Sequence, residues 1–78
     1  MTLVYVLVNL RPGKEKNLID RVKEEKEVNV LEYHTVYGEY DIILKIEVQN
    51  LEDIRRFLLD KIRSLDFVEK TITLIVSE

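Results

Sequence analysis

Residues 3–10 read Leu-Val-Tyr-Val-Leu-Val-Asn-Leu, apolar at nearly every position. Such a run predicts a central strand covered on both faces. Arg11-Pro12-Gly13 breaks it, because Pro removes a backbone donor and Gly permits a turn. Residues 14–26 keep only Leu18, Ile19 and Val22 apolar, the stripe of an amphipathic helix. Glu15 near its start suits the positive end of the helix dipole. Residues 28–37 return to strand formers, Gly38-Glu39 interrupts them, and residues 40–48 follow with the cleanest alternation in the chain. There Ile42, Leu44, Ile46 and Val48 share one face, with Asp41, Ile43, Lys45 and Glu47 on the other. Two strands so closely spaced predict a hairpin.

Asn50 is a good N-cap, and Asp53 falls at the third helical position, where a carboxylate meets free backbone N–H groups. Leu51, Ile54, Leu58, Ile62 and Leu65 follow at helical spacing, widened by Phe57 and Leu59. Residues 67–76 form the last strand. Its alternation places Val68, Ile72, Leu74 and Val76 on one face, and Phe67, Thr71, Thr73 and Ile75 on the other. The order β-α-β-β-α-β, with helices long enough to cross between parallel strands, predicts an α+β, ferredoxin-like fold. The expected sheet has four antiparallel strands in order 4-1-3-2, with both helices on one side. No linker, repeat or low-complexity segment divides residues 1–78, so a single domain is expected.

The side of the sheet away from the helices should then be polar, and it is not. Either parity of the first strand, Val4/Val6/Val8 or Leu3/Tyr5/Leu7, leaves an apolar row uncovered, and Ile43 and Ile75 extend it. A contiguous apolar patch on three strands marks a contact surface, whereas scattered surface hydrophobes would need no explanation. Self-association through this face is the expectation. Size points the same way, because a chain this short buries only ~60% of its unfolded surface. Small domains recover stability through disulfides, metals or oligomers.

Composition narrows the function. The absence of Cys excludes disulfides, thiolate metal sites and Cys nucleophiles. Twelve basic against fifteen acidic residues leave a formal charge of −3, a poor balance for direct binding of nucleic acid. No apolar run is long enough to span a membrane and no secretory leader is recognisable, so a cytoplasmic protein is expected. Catalysis has little material. His34 is the only His, and the only Ser residues are Ser64 and Ser77, so no Ser-His-Asp arrangement is available. Glu32 and His34 lie at i, i+2 on one strand face. Two ligands do not make a metal site, and a solvated edge-strand pair is the simpler reading.

The segment around residues 35–44 is the exception. Gly38 permits a positive φ and close approach of the backbone to a ligand. Strand parity puts Asp41 on the face away from the helices, and Thr71 and Thr73 on that same face. A carboxylate, hydroxyls and loop N–H groups could receive a zwitterion, ammonium on carboxylate and carboxylate on backbone donors. The competing reading gives Gly38 to the turn, Asp41 to its cap and the threonines to strand propensity. With the first strand between them, Asp41 and Thr71 would lie roughly 9–10 Å apart. A site shared between subunits handles that gap better than one within a subunit.

Gly-Glu-Tyr-Asp-Ile-Ile-Leu-Lys (38–45) resembles the signature of the effector-binding, or RAM, domain of Lrp/AsnC-type transcriptional regulators. Val-Leu-Val-Asn (6–9) before Pro12-Gly13, Ile-Arg-Ser-Leu (62–65) before Val68, and Thr-Ile-Thr-Leu-Ile-Val (71–76) support the likeness in order and spacing. The resemblance implies a dimeric α/β-barrel type of assembly, with dimers packed through their sheets and joined into an octamer or similar ring. It implies amino-acid or related effectors, bound between dimers near the loop before the third strand, and no cofactor or metal. Carried over by position, Gly38, Tyr40 and Asp41 match the loop motif, and Thr71 and Thr73 match hydroxyl positions. Glu39 falls at a variable position of the motif. Family regulators carry a helix-turn-helix domain before this one, whereas this chain begins at the first strand. The resemblance thus implies a non-enzymatic sensing module that acts through full-length relatives rather than on DNA itself. A small enzyme of the dimeric α/β-barrel type and a ligand-free assembly piece are the alternatives.

Overall fold

The chain winds β-α-β-β-α-β in a computed structural model that describes residues 1–78. Strand β1 covers Thr2–Leu10, helix α1 Glu15–Lys23, β2 Asn29–Thr35 and β3 Ile42–Val48. Helix α2 covers Leu51–Phe57 and continues as a π-turn over Leu58–Ile62, and β4 covers Val68–Ile75. The strands form one antiparallel sheet in the order β2-β3-β1-β4, the expected order read from the other edge. No helix is long and apolar enough to cross a membrane.

Register explains the core. Val4, Val6 and Val8 stand opposite Ile46, Leu44 and Ile42, and all six are fully buried beneath the helical layer. Leu18 and Val22 of α1, Ile54 and Phe57 of α2, and Ile62 of the π-turn close that core from the other side. No polar or charged side chain is buried in it. Asn50 caps α2 as its residue type predicts, its side-chain oxygen accepting from the Glu52 amide at 3.0 Å. Asp53 does not close the capping box. Its carboxylate turns outward to Arg56 at 2.7 Å.

Helix α1 stops three residues short of the predicted end. The Glu25 carboxylate accepts from the amides of Glu27 and Val28, at 2.6 and 3.0 Å, and bends the chain toward β2. Strand β2 is also shorter than residues 28–37, and apart from the half-buried Val30 it is exposed throughout, as an edge strand.

The larger correction concerns β4. Val68 pairs with Leu10 on the helix side, but the register shifts between Asn9 and Leu10. Beyond that bulge Thr71, Thr73 and Ile75 stand opposite Val8, Val6 and Val4, so they lie on the helix side. Ile72 and Leu74 stand opposite Leu7 and Tyr5 on the open face. The alternation predicted the reverse, because it carried one parity through a residue that inverts it. The open face is nonetheless apolar across three strands, with Ile72 and Leu74 in the place expected of Ile75.

Candidate functional site

The loop between β2 and β3 is built on a short set of backbone bonds. Gly38 adopts φ +133°, where a side chain would strain the backbone. The Val36 amide donates to the Asp41 carbonyl at 2.9 Å and closes the loop, and the Asp41 amide donates to the Val8 carbonyl at 3.0 Å. Asp41 also uses its side chain: Oδ2 accepts from the Leu10 amide at 2.8 Å. That bond satisfies a backbone donor at the end of β1, a structural task on another strand rather than the turn cap that the competing reading gave Asp41. The other carboxylate oxygen is in no hydrogen bond within the chain.

Asp41 lines a concavity of about 270 Å³ with Glu15, Thr35, Val36 and Tyr37. Two carboxylates, a hydroxyl and a phenol make a donor set suited to a cation or an ammonium group. Glu15, Thr35 and Tyr37 were not selected from the sequence as ligand residues. Their proximity follows from the β1–β3 pairing, which brings the start of α1 beside the β2–β3 loop, and local spacing carries no signal of it.

The remaining predicted residues go elsewhere. Tyr40 is half-buried, with the Lys70 ammonium 5.6 Å from its ring centroid. Glu39 is exposed. Thr71 lines a polar concavity of about 400 Å³ with Arg63, Val68, Glu69 and Lys70. Thr73 lines a different groove, against α2 and the π-turn. Asp41 and Thr71 are thus separated by β1, about 9–10 Å at two strand spacings. The threonines are on the helix side, not on the open face predicted for them. Within one protomer Gly38, Tyr40 and Asp41 lie at one end of the sheet, while Thr71 and Thr73 open onto separate concavities.

On the open face, Glu32 accepts from Lys45 at 3.5 Å and shares a 3.0 Å hydrogen bond with the His34 ring. These contacts, the His34 bond first, hold the Glu32 carboxyl below its ordinary value of 4.5. The arrangement is a solvated side-chain cluster on an edge strand, as the residue types predict.

Comparison with known proteins places the chain. The model of the Lrp/AsnC ligand binding domain matches residues 3–78. An HTH-type transcriptional regulator, FL11 of Pyrococcus horikoshii, is 34% identical over 74 residues, covering 95% of this chain and 47% of its own. The chain spans about half the length of the curated relatives it matches. Among solved structures, FFRP-DM1 superposes with a TM-score of 0.86 at 34% identity, covering 97% of this chain and 99% of its own. A transcriptional regulator from Neisseria meningitidis, solved as its L-Met complex, gives 0.83 at 22% identity, covering 99% of this chain and 50% of its own. The last of these is a likeness of fold alone.

Proposed function

Because the chain belongs to the Lrp/AsnC ligand-binding domain family, we propose that it is a non-enzymatic, oligomeric module that senses an amino acid or a related small molecule. The observation that carries this reading is the acidic concavity lined by Asp41, Glu15, Thr35 and Tyr37, together with an Asp41 carboxylate oxygen left over from the bond to Leu10. An ammonium group meets the two carboxylates there, and the Gly38–Tyr40 backbone faces the rest of the ligand. The ligand's far side is completed by a neighbouring copy, since Thr71 and Thr73 of the same copy stand beyond β1. The Neisseria regulator, alike in fold, is itself solved with L-Met.

The apolar interior supports a binding module over an enzyme of similar topology. The helix-facing side of β3 is packed and carries no polar group on which a reaction could be run. Sheet-face dimers joined into a ring, a cytoplasmic location and exchange of subunits with full-length regulators complete the proposal.

A thermal-shift screen against the twenty amino acids tests it. A true effector at 100 times its dissociation constant stabilises the folded protein by about 2.7 kcal/mol. Glu15→Gln should abolish that gain for the same compound. A screen silent for all twenty, or a gain untouched in Glu15→Gln, removes the reading.

A further inference from the structure

The helical layer covers the sheet unevenly. Val4 is fully buried, yet Ile75, its partner on β4, is 53% exposed on the same side. Between β4 and α2 with its π-turn runs a groove of about 470 Å³, floored by Leu51, Leu58, Leu59 and Ile75. Thr73 opens into it, and Arg63 lines both this groove and the neighbouring polar concavity that contains Thr71. The two concavities therefore share Arg63. Arg55, also on the groove wall, is held by Glu52 at 3.0 Å, and the Lys70 ammonium lies over Tyr40. Arg63 is in no salt bridge, so it is the groove's uncommitted cation. The π-turn positions it: the Arg63 amide donates to the Leu58 carbonyl at 2.7 Å, a wide-turn bond of the kind found at functional sites.

We propose that this trough binds a free acyl carboxylate with a medium-length alkyl chain. The head group meets the Arg63 guanidinium, flanked by the Thr71 and Thr73 hydroxyls, and the chain lies along Leu59, Leu58, Ile75 and Leu51. Charge and length both select this class. A guanidinium is the preferred partner of a carboxylate. Glu69, the one acid lining either concavity, favours a single negative charge over a dianionic phosphate. Leu51 opens α2 and Arg63 follows the π-turn, and the seven α-helical residues alone span about 10 Å. That reach exceeds any amino-acid side chain, so the site is separate in place and in chemistry from the Asp41 concavity.

Titration of the 78-residue chain with dodecanoate below its micelle-forming concentration, read by calorimetry and amide chemical shifts, tests the proposal. Saturable binding with shifts at Leu59, Thr73 and Ile75 is expected. Arg63→Gln should weaken it about tenfold or more, the worth of a charge-assisted hydrogen bond. Dodecanol should bind as weakly to the unaltered protein, and Arg56→Gln should bind dodecanoate like the unaltered protein. Absence of binding, equal affinity in Arg63→Gln, shifts confined to the open sheet face, or binding to anionic vesicles but not to the monomeric acid would each overturn it. So would a Leu59→Glu variant of lower oligomer mass, which would show a second copy of the chain seated in the groove.

Discussion

Asp41 has two duties on one carboxylate, and they are separable. Oδ2 satisfies the Leu10 amide in a partly buried setting, so Asp41→Ala leaves that donor unpaired. A loss of about 1–3 kcal/mol is expected in urea unfolding at fixed protein concentration. Asp41→Asn keeps an acceptor and should recover most of it, while removing the charge that an ammonium needs. Comparing the two variants divides fold from ligand, which an alanine substitution alone cannot do. Glu32 gives a second test. Its carboxyl is held low by His34 and Lys45, so its contribution is present above the ordinary value of 4.5 and lost as pH falls through the lower folded value. The thermal midpoint of Glu32→Gln should therefore lie below that of the unaltered protein at pH 7, and the gap should close toward pH 3. The position is exposed, so the gap should also shrink in salt. Residue type announced the Glu32 contact, Glu and His two apart on a strand, but not the Asp41 bond, which runs to a strand 31 residues away. The company Asp41 keeps was invisible, because Glu15 reaches it only through long-range pairing.

Secondary elements were legible wherever period and packing agree. Strand β3 reads correctly because its alternation meets no interruption. The cap of α2 reads correctly because Asn50 acts on its own neighbours. Asn50→Ala should therefore cost about 1 kcal/mol in unfolding free energy, checked by chemical denaturation. Failures occur where one residue changes the count. The bulge opposite Asn9 and Leu10 inverts β4. The π-turn after Phe57 replaces the last turns of a helix that apolar spacing carried on to Leu65. A bulge or a wide turn adds a residue without changing which side chains are apolar, so composition-based patterns pass straight through it.

At the scale of the whole molecule, the open face is the surface on which the proposed assembly depends. Leu7 stands between Ile43 and Ile72, and Tyr5 between Lys45 and Leu74, so the apolar surface is continuous across β3, β1 and β4. Leu74 is 53% exposed in the isolated chain. Leu7→Glu puts a charge at the centre of this surface and should reduce the assembly to monomers in sedimentation velocity. A variant that sediments like the unaltered protein would place the contact elsewhere. The existence of the face was legible, since both parities of the first strand are apolar. Its composition was not, because it depends on which way β4 is turned.

The extra residue in β4 has one more consequence. Without Glu69, Val68, Lys70 and Thr71 would stand opposite Leu10, Asn9 and Val8 in unbroken alternation, so every residue from Thr71 onward would keep its side and only the local kink would be lost. A single lost codon there would straighten the ribbon and leave both of its surfaces dressed as before, whereas the same loss a few positions later would turn the strand inside out.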